Sequence, residues 1–168
     1  MDFLNTENKL NDLLGKFFKM NSITDNMSYA LAIELKCPNA SKIFHEKYAH
    51  AFPSNLFADF LSDSMIMLGY RPKRCSFDGD ISEYNSIVDL FKDNFDKILE
   101  LKNFIEYLID ELDCEISNKI LVLKLEELLN NLAPFIHQSK IWLDLAKNYV
   151  DNNDVYKFNL NFEKITYI

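Results

Sequence analysis

Apolar residues recur at spacings of three and four over most of this chain. Between about Thr6 and Lys36 they fall at Leu10, Leu13, Leu14, Phe17, Phe18, Met27, Leu31, Ala32 and Leu35, the stripe of an amphipathic helix. The cap-type run Asn21-Ser22-Ile23-Thr24-Asp25-Asn26 either breaks that helix or forms a polar face on a continuous one. Pro38 closes the segment, because proline cannot continue the hydrogen-bond ladder. Asn39 or Ser41 is placed to cap a second helix that runs to Leu68, where Gly69 and then Pro72 end it. Pro53 in this helix should bend it or open a bulge, and Pro134 should do the same further on.

Residues 71–82 read as a loop. A third helix starts near Ser82 to Asn85 and carries the stripe Ile87, Phe91, Phe95, Ile98, Leu101, Ile105, Leu108 and Leu112. Asp113-Cys114-Glu115 is a tight turn, and a fourth helix follows to about Tyr149. From Asp151 the period changes. Phe158-Asn159-Leu160-Asn161-Phe162 alternates by two, which predicts an extended tail lying over the helices or over a neighbouring subunit. The expected organisation is therefore all-α: a four-helix bundle over 1–150, with a long crossover between its second and third helices, and an extended tail over 151–168.

Composition agrees with long helices. The chain has 14 Phe and 8 Tyr but only 3 Gly and 4 Pro, so few turns are encoded. A net charge of -8 and an isoelectric point near 4.9 oppose a polyanion-binding surface. The densest basic stretch, Arg71, Lys73 and Arg74, reads as a solvated loop, so nucleic acid is not an expected partner. Cys37, Cys75 and Cys114 are odd in number and widely spaced, which suggests reduced, structural thiols rather than a disulfide framework or a zinc site. The acidic start lacks the pattern of a signal peptide, and no apolar run is long enough for a membrane span. The expected location is the cytoplasm.

Candidate chemistry lies in the second helix and just before it. Asp59 and Asp63 are one helical turn apart and face the same way. At 100° per residue, His45 lies only about 40° from Asp59 around a continuous helix, while His50 falls on another surface and is set aside. No Glu-x-x-His motif occurs, so the ligand pattern of a di-iron site inside one bundle is missing. Gly-rich phosphate loops and nucleophile elbows are also missing from the sequence.

Several motifs in order resemble the Dps branch of the ferritin-like proteins, the miniferritins. They are Lys36-Cys37-Pro38-Asn39, Asp59-x-x-x-Asp63, Leu68-Gly69-Tyr70-Arg71-Pro72 and Ile141-Trp142-Leu143-Asp144-Leu145-Ala146. The resemblance covers roughly residues 10 to 148. It implies a ferritin-like bundle that assembles into a dodecameric shell. It also implies iron binding and sequestration, with oxidation of ferrous iron at a centre shared between subunits. Asp59 and Asp63 would be retained ligands, suited to hard ferrous and ferric ions. The family's two histidine positions fall on Ala32 and Phe44. Glu34 and His45 are the nearest candidate replacements. The rival expectation is a scaffold or interaction protein that kept the bundle and lost the iron site.

Overall fold

The computed structural model describes residues 2–77 and 81–168. Asp2 opens α1 (Phe3–Ile33), its carboxylate accepting the Asn5 amide at 2.7 Å. The helix runs unbroken through 21–26. Thr24 and Ser28 donate their hydroxyls to the carbonyls of Met20 and Thr24, at 2.8 and 3.0 Å. Their polar groups are thus satisfied by the helix itself and do not compete with it. Lys36 then adopts a left-handed conformation (φ 57°), and the Cys37 amide reaches back to the Leu31 carbonyl at 2.7 Å, closing the helix end.

Two expectations for the next segment need correction. Neither Asn39 nor Ser41 caps α2 (Pro38–Lys47), which has no side-chain cap of its own. The orphan amide of Ala40 is met instead by Asn159 Oδ1, 119 residues away, at 2.9 Å. Nor does one helix run to Leu68. After α2 come a single 3-10 turn, Ala49–Ala51, further turns through Pro53, and then α3 (Ala58–Met67). The break lets Tyr48, Phe52 and Phe57 all reach full burial.

The crossover leaves α3 beside the start of α1. Glu7 accepts the Arg71 amide at 2.6 Å, and Asn11 bonds both the Arg71 carbonyl and the Lys73 amide. Residues 81–85 lie instead near Asn26, Tyr29, Ala30 and Glu34, towards the other end of α1. The crossover therefore spans most of that helix, so that α4 (Ile87–Leu112) can run antiparallel to α1. The pairs Lys9–Tyr107 and Lys16–Phe104 show that direction. Ser86 caps α4 by accepting the Asp89 amide.

A 3-10 turn, Ile116–Asn118, leads into α5 (Lys119–Asp151), which packs along α4. It continues through Pro134, where a bend or bulge is expected from sequence. Pro134 and Asn130 are both exposed, so the carbonyl deprived of its partner lies on the solvent side.

The tail is helical, not extended. Residues Val155–Asn161 form α6, followed by a 3-10 turn, Phe162–Ile165. Phe158 and Phe162 are four apart and both fully buried, whereas Leu160 is 53% exposed. The helical spacing therefore replaces the period-two pattern: residues four apart share a helix face, so both rings enter the core while Leu160 turns outward. Trp142 sits at the centre of this packing. Its ring lies 5.0 Å from Phe162, 5.2 Å from Tyr48, 5.4 Å from Phe44 and 5.7 Å from Phe91. Its indole N–H donates to Thr166 Oγ1 at 3.2 Å, and Gln138 donates to the Ile165 carbonyl at 2.7 Å. No helix among the described residues is long and apolar enough to cross a membrane.

Two outcomes follow for the core. Phe162→Ala should cost about 3–5 kcal/mol, the range for deleting a buried aromatic ring, measured by urea unfolding followed through Trp142 fluorescence. Cys37 is fully buried and its thiol is pushed up to about 11 by desolvation, while Cys75 and Cys114 are exposed. A maleimide should label two thiols per native chain at neutral pH and the third only on unfolding. Fast labelling of all three would contradict this packing.

Candidate metal centre

Among the described residues, no Asp, Glu or His is buried. The bundle interior therefore offers neither carboxylate nor imidazole. The polar knot around Tyr48 is neutral: Tyr48 Oη and Ser139 Oγ are 2.8 Å apart, and Asn94 donates to the same serine at 3.1 Å. Burial pushes the Tyr48 phenol well above its ordinary range, so it stays protonated.

The chemistry gathers outside the bundle core, where the middle of α1 meets the end of α2. Asp25, His45 and His50 each present one ligand atom there, all within 4.8 Å of one another. His45 Nε2 lies 3.2 Å from Asp25 Oδ1. The two imidazole rings are 4.3 Å apart and nearly edge-to-face, at 66°. The contact between His45 and Asp25 has ion-pair distance without hydrogen-bond geometry, so Asp25 Oδ1 remains a buried carboxylate oxygen with no hydrogen-bond partner. Such an oxygen is costly to desolvate unless a cation or donor meets it.

Each element has a local reason to place its residue. Asp25 projects from α1 because the 21–26 segment stays helical. His45 occupies the last turn of α2, and His50 sits on the 3-10 turn that follows. In an unbroken α-helix, residues five apart stand about 140° around the axis from each other. The break after Lys47 is what returns His50 to His45. Counted along a continuous helix, His50 falls on another surface, and in the sequence Asp25 stands out only as part of a cap-type run.

The other sequence candidates lie elsewhere. Asp59 and Asp63 are exposed on α3, and Glu34 is exposed at the end of α1. Within one chain, none of the three joins His45. Asp59 also has a structural role, since it stands in the first turn of α3, where a negative charge complements the helix dipole. Asp63 borders a shallow cleft with Phe60, Met67 and Lys124. Phe44, the position that resemblance gives to a second histidine, is fully buried in the aromatic core. Ala32 is half-buried on α1.

The donor set suits a divalent transition metal. Two neutral imidazoles and one carboxylate are ligands of ferrous iron and its neighbours. Metal bonds of about 2.1 Å hold adjacent donors about 3 Å apart. The 3.2 Å pair already meets that spacing, and His50, being exposed, can close the remainder by side-chain rotation.

No family model matches the sequence, and no curated protein matches it. In three dimensions the chain is similar to a Chlorobium tepidum ferritin, with a TM-score of 0.82 at 16% sequence identity, covering 98% of this chain and 99% of that one. At that identity the likeness establishes architecture: the protein has an all-α, ferritin-like fold of long helices with a crossover between the second and third arms of the bundle.

Proposed function

We propose that this protein binds and sequesters iron as a self-associating, ferritin-like protein of the miniferritin type, and that Asp25, His45 and His50 take the ferrous ion. The observation that carries this reading is the convergence of two imidazoles on the Asp25 carboxylate, one of whose oxygens is buried without a hydrogen-bond partner. The ferritin-like fold supports it as a setting for metal handling, and the motifs that resemble miniferritins support assembly into a shell. The exposed carboxylates Asp59, Asp63 and Glu34 are proposed to face neighbouring copies in that assembly and to draw cations to it. A net charge of -8 favours the approach of cations over anions.

A second reading, a scaffold without iron chemistry, is favoured by one observation. The position where miniferritins carry a ligating histidine is occupied by Phe44, locked against Trp142. Metal analysis separates the two readings. Protein purified after growth with iron, or reloaded anaerobically and desalted, should retain metal, and His45→Ala with His50→Ala should lose it. Asp59→Asn with Asp63→Asn should leave retention at this triad intact. Absence of metal uptake at micromolar ferrous iron, with oxidation no faster than in buffer, would favour the scaffold.

The unpartnered oxygen also generates a stability outcome. Asp25→Asn keeps the shape but removes a charge held partly out of water. In metal-free buffer at pH 8 it should melt no lower than the parent, with a gain of up to about 1 kcal/mol. The parent should gain about 2.7 kcal/mol at a hundredfold excess of metal over Kd, and the variant should gain almost none. Calorimetry with and without metal checks both.

A further inference from the structure

Resting on that reading, we propose that the centre takes a single ion within one chain, and that Asn21 is its positioning residue, holding the turn that presents His50. The first half follows from the donor count. A two-ion centre of the carboxylate-bridged kind needs further acidic and imidazole ligands around the pair. Asp25, His45 and His50 are the one group of three or more His, Cys, Asp or Glu donors within reach of one another among the described residues. Three donors fill half of an octahedral shell and leave three positions for water or a small exogenous ligand. Because all three come from one chain, occupancy does not require a subunit interface.

The second half follows from how His50 is held. Asn21 lies one turn before Asp25 on α1 and so shares its face. Its amide nitrogen donates to the Ala49 carbonyl at 2.8 Å. A carbonyl can be met only by the NH2 end of an amide, so the orientation of Asn21 is fixed by chemistry. Ala49 immediately precedes His50 and is fully buried. The same turn is closed by Ala51 N–H to Tyr48 O at 3.0 Å, and Tyr48 is anchored in the core through Ser139. The backbone at His50 is therefore tied to the core by Tyr48 and to the carboxylate-bearing helix by Asn21. Asn21 touches no metal. It sets the distance between the helix carrying Asp25 and the turn carrying His50. Supporting contacts of this type commonly contribute 10- to 100-fold to metal affinity.

The test is an anaerobic titration of the full chain with Co(II), whose visible absorption reports the ligand set. The parent should bind one Co(II) per chain. Asn21→Leu, which keeps the bulk and loses the donor, should weaken binding about 10- to 100-fold and change the Co(II) spectrum towards fewer imidazoles. Its thermal unfolding in chelator should remain cooperative but fall somewhat, because the buried Ala49 carbonyl loses its donor; the spectral change and the partial recovery in Asn21→Gln separate the positioning role from that loss. Asn21→Gln retains a donor and should recover part of the affinity, and it serves as the test if Asn21→Leu fails to fold. Two ions per chain, or equal affinity and spectrum in the parent and the Asn21 variants, would overturn the proposal while leaving metal binding intact. Undiminished binding in His50→Ala would overturn the site itself. No Co(II) uptake by the parent would remove the proposed function and this inference together.

Discussion

Three aromatic residues, Tyr48, Phe52 and Phe57, cannot all face one core from one continuous helix. Tyr48 and Phe52 are four apart and share a face, but nine residues of α-helix turn Phe57 about 180° from Tyr48. The apolar gain from burying a ring is on the order of 1.5–3 kcal/mol. The break forfeits few backbone hydrogen bonds, because turn bonds replace them (Ala51 N–H to Tyr48 O at 3.0 Å, Ala58 N–H to Phe52 O at 3.1 Å), and Pro53 could not have donated one in any case. The chain accordingly breaks between α2 and α3 and buries all three rings. The 3-10 turn that results also carries His50 back over His45. The placement of the polar cluster is thus a by-product of satisfying the apolar core.

The segment bearing the cluster is held at both ends. At its start, α2 takes its cap from Asn159 in the tail, and Asn39 donates back to the Asn159 carbonyl at 2.7 Å. At its end, Tyr48 is fixed among Trp142, Phe44 and Phe52. The tail also closes the core over Trp142 through Phe158, Phe162 and Thr166. A short C-terminal helix therefore supports both the packing centre and the orientation of α2. Ligand positions mounted on such a braced element have less freedom than positions on a surface loop.

A ferritin-like bundle does not by itself decide what the protein binds, because function resides in particular sites rather than in the fold. Here the interior is apolar or neutral throughout the described residues, and the ionisable groups that converge do so at the outer seam between α1 and the end of α2. That location keeps the carboxylate of Asp25 partly shielded while leaving His50 open to solvent. Partial burial strengthens attraction to a cation without the full desolvation cost of a core position.

Much of the architecture was legible as pattern. The stripes of α1, α4 and α5, the stop at Pro38, the loop after Gly69 and the long crossover all follow from local periodicity and turn chemistry, which depend on near neighbours. The sequence by itself also set the ligand types available: three histidines, many carboxylates, and no paired cysteines. Only the tertiary structure decided which of them meet. The cap of α2 is supplied from 119 residues away, the tail is helical because Phe158 and Phe162 find Trp142 and Phe91, and His50 joins His45 because a helix breaks to bury distant rings. Angles counted along an assumed helix placed His45 near Asp59 and excluded His50. That reckoning fails wherever long-range burial outweighs the local ladder, because helical hydrogen bonds are made within four residues while the core is made across the whole chain.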